Sequence, residues 1–102
     1  MHRTLSESGS GDASLDAMQP RDAARESLVA LLRVAYSAEL AAYIAYLGHE
    51  RSVRDPEEKL AIRRIGREEL VHRREVGRML AALGATPSAR RERWMPWVGR
   101  LI

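Results

Sequence analysis

The run Arg54-Asp55-Pro56-Glu57-Glu58 constrains this chain more than any other stretch. Asp55 is a capping residue, Pro56 suits a first helical position, and Glu58 stands where a capping box places its acidic member. Both glutamates favour the positive end of a helix dipole. On the N-terminal side, Leu28, Leu32, Ala35, Glu39, Ala42, Tyr43 and Tyr46 recur at three- and four-residue steps between a start near Pro20 and an end near Ser52. On the C-terminal side, Ile62, Ile65, Glu69, His72, Val76, Met79 and Leu83 make a second stripe, closed by Gly84 as a left-handed cap and by Pro87. Two helices of roughly 30 residues joined by a turn of two or three residues fold back on each other, giving an all-α antiparallel hairpin roughly 45 Å long.

The chain has 102 residues and no repeat larger than one helix, which bounds it to one small domain. It divides into an N-terminal tail over 1–19, rich in Ser and Gly and expected to be disordered, a helical hairpin over 20–86, and a basic, aromatic segment over 87–102. So small a domain buries a limited share of its surface, so oligomerisation or a bound metal is expected. With no cysteine there are no disulfides and no thiolate metal sites. No signal-like apolar core stands at the N-terminus, and no stretch reads as the ~18 apolar residues of a membrane span. The expected setting is cytoplasmic, either free, inside a protein compartment or peripheral to a membrane.

The net charge of +3 is local: residues 88–102 hold Arg90, Arg91, Arg93 and Arg100 against Glu92 alone. Because no basic face runs along the helical part, nucleic acid is disfavoured as a partner. The final segment, with Trp94, Trp97, Leu101 and Ile102, is expected to pack across the hairpin or a neighbouring subunit. A membrane surface, an acidic partner or encapsulating shell, and the start of a third helix are the other readings.

Three polar residues intrude on apolar stripes. Glu69 and His72, three apart, point the same way from the second helix and are good ligands for a transition metal. Glu39 is the only charged residue between Val34 and Gly48, and a lone carboxylate there is costly to bury unless paired or bound to a cation. Glu39 lies fifteen residues before Arg54 and Glu69 fifteen after it, so the hairpin sets them at one height, with His72 a turn further on and level with Tyr36. An ion pair between Glu39 and Arg73 is the plain alternative, but Arg73 belongs to a different face. Two copies about a two-fold axis would supply four carboxylates and two imidazoles to two divalent ions, a self-neutralising set that four-helix di-iron and di-manganese carboxylate bundles use.

The residues that carry this reading also carry a resemblance. Glu39 within Ser37-Ala38-Glu39-Leu40-Ala41-Ala42-Tyr43, followed by Glu69-x-x-His72, resembles the ferritin-like superfamily. The wording from Leu31 to Ala42 and at Arg54-Asp55-Pro56-Glu57 is similar to demethoxyubiquinone hydroxylase relatives and rubrerythrin-type proteins, and the single-hairpin spacing is similar to encapsulated ferritin. The resemblance implies a half bundle completed to four helices by dimerisation, with two irons per dimer, or manganese in their place. Glu69 would bridge the metals, and Glu39 and His72 would be terminal ligands. It implies ferroxidase or peroxide- and O2-dependent oxidoreductase activity, with quinone hydroxylation as a variant. Ferritin-like chains usually supply all four helices, so a second copy, in a homodimer or higher homo-oligomer, is expected to provide the other two. The rival from another class is a non-catalytic helical hairpin that dimerises, its polar residues setting register.

Around the three ligands, Tyr36 and Tyr46 are expected as core aromatics whose hydroxyls could orient a ligand carboxylate. Glu50 and Glu58, each eleven residues from a ligand and so on its face, suggest an auxiliary cation site, with service to the turn and the helix dipole as the stronger reading. His49 reads as a surface residue, and Glu75 is the first substitute ligand if the second helix is rotated.

Overall fold

A computed structural model describes residues 19–102, and the expected tail lies outside the described residues except for Gln19. Three helices follow in order: α1 over Pro20–Ser52, α2 over Pro56–Ala82 and α3 over Ala89–Leu101. No strand occurs among the described residues. The all-α class is as expected, and the final segment forms a third helix.

The termini follow from local chemistry. Pro20 opens α1, Asp22 lies in its first turn and Arg51 in its last, each charge matched to the nearer end of the dipole. Asp55 caps α2 by accepting from the Glu58 backbone N–H at 2.9 Å, as its sequence predicted. Gly84 has φ 71°, the left-handed value that ends α2, and the Leu83 and Gly84 N–H groups close back onto the last turn. Two arginines of α1 reach the same region: Arg25 donates to the Leu83 carbonyl, and Arg33 donates to the Thr86 carbonyl at 2.7 Å. The first gives an orphan carbonyl at the end of α2 a partner, and the second ties the connection before α3 to α1. Ser88 then caps α3 by accepting from Arg91 N–H at 3.3 Å.

Both α2 and α3 pack on α1. α2 runs back along α1, with Tyr46 and Tyr43 against Gly66, Tyr36 against Gly77, and Val29 and Leu32 around fully buried Leu80. This arrangement corrects the stripe read from the sequence. Ile65, His72 and Met79 are exposed at the edge of α2, and Gly66 and Leu80 are its buried residues. The reason is volume: the tyrosines of α1 need holes, and glycines provide them where Ile and Met would not.

α3 crosses α1 on another side. A methyl group on Gly99 would come within 2.5 Å of the Ala41 carbonyl oxygen and 2.8 Å of Ile44 Cβ, so the backbones touch there and only glycine fits. This contact turns Glu92, Met95, Pro96 and Gly99 inward. The segment packs across α1 through this inner face, while Trp94 and Trp97 stay more than half exposed and Leu101 and Ile102 more than four-fifths.

α1 is long and apolar enough to cross a membrane by length and composition, which corrects the reading that no stretch approaches this. α2 and α3 both pack on it, yet only 22% of that apolar stretch is buried. The side of α1 that faces neither partner carries Leu28, Leu31 and Ala38, all exposed. On α2, Ile65, His72 and Met79 recur at seven-residue steps and share one exposed face.

Candidate metal centre

Glu39 comes from the middle of α1, and Glu69 and His72 come from successive turns of α2. His72 Nδ1 lies 3.6 Å from Glu39 Oε2 and 3.6 Å from Glu69 Oε1. One donor atom from each of the three falls within 4.8 Å of the others. Bonds of ~2.1 Å to a common cation would separate neighbouring ligand atoms by about 3.0–3.4 Å, so small side-chain rotations close the set. Neither 3.6 Å approach is a hydrogen bond.

Burial differs across the three. The Glu39 and Glu69 side chains keep about a fifth of their surface in water, and His72 keeps 56%. Glu39 Oε2 is buried with no hydrogen-bond partner among the described residues. Burial pushes the Glu39 carboxyl above the usual carboxylate range, and the Glu69 charge pushes it further, while His72 opposes the rise. A buried acceptor with no donor, beside a second carboxylate, is a strained arrangement that a divalent cation would relieve.

The donor set fits that group. Two carboxylates and a neutral imidazole give two negative charges and a mixed oxygen and nitrogen field, suited to iron, manganese or zinc rather than to a soft thiophilic ion. The His72 side chain is 56% exposed, which leaves room for further ligands beside it.

The remaining sequence-predicted residues lie apart from the trio. The Tyr36 ring holds the Arg73 guanidinium at 3.9 Å and meets Gly77, and Tyr46 lies on Gly66. Among the described residues no hydrogen bond joins either tyrosine hydroxyl to Glu39 or Glu69. Glu50 accepts two bonds from Arg63, at 2.9 and 2.6 Å, and those hydrogen bonds hold its carboxyl below the usual range despite some desolvation. Glu58 is exposed in the first turn of α2, where its backbone N–H meets Asp55. Glu75 and His49 are exposed.

One network escaped the sequence reading. Arg73, next to His72 and turned to the other side, forks onto Glu92 of α3 at 2.5 and 3.1 Å and donates to the Tyr36 carbonyl at 3.0 Å. Buried Ser37 donates to Glu92 at 2.7 Å. Burial pushes Glu92 up, but the bonds from Arg73 and Ser37 together outweigh it and hold the carboxyl below its usual range. The signal was present: Glu92 is the one acidic residue in an arginine-rich segment.

No family model matches the chain, and neither the curated proteins nor the solved structures contain a match.

Proposed function

We propose that Glu39, Glu69 and His72 bind a divalent transition metal, and that a second copy of the chain completes the centre as a four-helix bundle holding two ions. The observation that carries this reading is the buried, unpartnered Glu39 Oε2 set against Glu69 and His72. The surroundings support the second copy. The two helices that carry the trio also carry exposed Leu28, Leu31, Ile65 and Met79, apolar surface that a single chain leaves in water.

Paired in this way, four carboxylates balance the charge of two divalent ions, and two imidazoles complete the donors. Iron bound there would supply one-electron transfer to O2 or peroxide. The protein's own part is to fix donor geometry on two rigid helices, to exclude bulk water with the apolar rim and to leave ligand positions open beside His72. Ferroxidase or peroxide-consuming chemistry is the activity that such a ligand set serves.

The test is direct. Metal-free protein is titrated anaerobically with Fe(II) and then exposed to air. Binding of two irons per dimer, followed by ferric absorbance, is expected, and Glu69→Ala should remove both. If neither wild type nor variant takes up iron, manganese or zinc while both sediment as the same dimer, the chain is a helical association module and the metal reading fails.

A further inference from the structure

We propose that α3 docks in the plane of an anionic membrane surface, through a cationic and aromatic face that the metal centre does not use. At about 100° per residue, Arg90, Trp94, Trp97 and Leu101 form one line along the outward side of α3. Trp94 is 59% exposed, Trp97 58% and Leu101 86%. Arg93 and Arg100 flank that line on one side and Arg91 on the other, all exposed. Arg100 also stands over the Trp97 ring, 5.2 Å from its centroid.

The single acidic residue of the helix is missing from this face. Glu92 is turned inward and neutralised by Arg73 with help from Ser37, so four arginines remain outward with no carboxylate among them. The fold therefore separates charge along α3: an acidic contact below and a purely cationic surface above. Tryptophan seats at the boundary between headgroups and acyl chains, and arginines on both sides reach the lipid phosphates. A second copy is a poor occupant, since two such faces would set arginine against arginine. The neighbouring groove between the ends of α1 and α3 continues the pattern, with Ile44, Leu47 and Ile102 in its lining and Arg51 and Arg100 beside them.

The two tryptophans of the chain both lie on α3, so their emission reports on this surface alone. The full chain is mixed with vesicles of phosphatidylglycerol and phosphatidylcholine, with vesicles of phosphatidylcholine alone, and with polyglutamate. Expected results are a blue shift and co-flotation with the anionic vesicles, reversal in high salt, and little binding to the neutral ones. Replacing Arg90, Arg93 and Arg100 together with Gln should weaken binding to anionic vesicles on the order of a hundredfold, at roughly fivefold per arginine. Trp94→Ala with Trp97→Ala should weaken flotation while the helical circular dichroism is kept, because both side chains are exposed. Absence of flotation with anionic vesicles overturns the proposal, as does unchanged binding by the arginine variant. A blue shift that grows with protein concentration without lipid, or one produced by polyglutamate and not by vesicles, assigns the face to a protein and also overturns it. None of these readouts involves bound metal, so this proposal and the metal reading stand or fall separately.

Discussion

His72 Nδ1 lies 3.6 Å from Glu39 Oε2, although the two residues are 33 positions apart and on different helices. The same nitrogen lies 3.6 Å from Glu69 Oε1. One imidazole nitrogen is thus equidistant from two carboxylates and hydrogen-bonded to neither. A proton on that nitrogen could serve one of them at a time. A cation between them would serve both, and would also give the stranded Glu39 oxygen a partner.

Glu39 should therefore be a liability in the metal-free protein. Its carboxyl titrates above the usual range, so the folded chain binds this proton more tightly than the unfolded chain, and stability falls as pH rises through that interval. Glu39→Gln should raise metal-free stability at pH 8 by about 0.5 kcal/mol, below the ~1–3 kcal/mol of a fully buried unpaired group because part of the side chain is wet. The gain should vanish near pH 4, where wild-type Glu39 is protonated. The same variant should bind Fe(II) at least tenfold more weakly. Thermal melts at the two pH values, with and without metal, check both signs.

The glycines of the two helix contacts should respond in opposite directions. A Cβ on Gly66 would meet Tyr46 Cβ at 3.6 Å and Tyr43 Cδ1 at 3.8 Å, ordinary contact distances. Gly66→Ala should then stabilise by up to about 1 kcal/mol through helix propensity. At Gly99 the Ala41 carbonyl stands 2.5 Å from the added carbon, and backbone cannot yield cheaply. Gly99→Ala should cost about 1–3 kcal/mol and loosen α3. Urea denaturation read by circular dichroism and by tryptophan emission distinguishes the two variants.

Much of this arrangement was legible in the sequence, because it is written in local chemistry. Asp55-Pro56 fixed the break between α1 and α2, Gly84 fixed the end of α2, and equal counts from Arg54 brought Glu39 and Glu69 to one level. Helix rotation was less legible. Periodicity cannot tell a stripe packed on α1 from one at its edge, and the decision lay in which glycines accept the tyrosines of α1. The direction of Trp94 and Trp97 was hidden for a similar reason: it follows from Gly99 touching the Ala41 backbone, a contact between residues 58 positions apart.

The clasp between Arg73 and Glu92 predicts an acid-sensitive α3. Glu92 is held below the usual carboxylate range, so its contribution is complete at pH values above that range and is lost as pH falls through the folded value. Arg73 and Glu92 keep 19% and 24% of their side-chain surface in water. Glu92→Gln should therefore cost about 1–2 kcal/mol at pH 7, less than the ~3–5 kcal/mol of a fully buried pair. Wild type and variant should converge once pH falls below the folded value of Glu92, in urea melts followed by tryptophan emission.

Leu31 tests whether a second copy covers the face beside Glu39. It is 64% exposed on the single chain, so Leu31→Asp should leave the helical signal and the unfolding midpoint of the monomer almost unchanged. If two copies meet on this face, the variant sets a pair of carboxylates in the apolar rim around the trio. Self-association should then weaken by more than about tenfold, roughly 1.4 kcal/mol. Glu39, Glu69 and His72 of each chain remain together in the variant, so weak one-ion binding should survive while uptake of two ions per dimer is lost. Sedimentation equilibrium with and without Fe(II) measures both quantities. A variant that dimerises like wild type would show that the second copy lies elsewhere, and that Glu39, Glu69 and His72 face water or another partner.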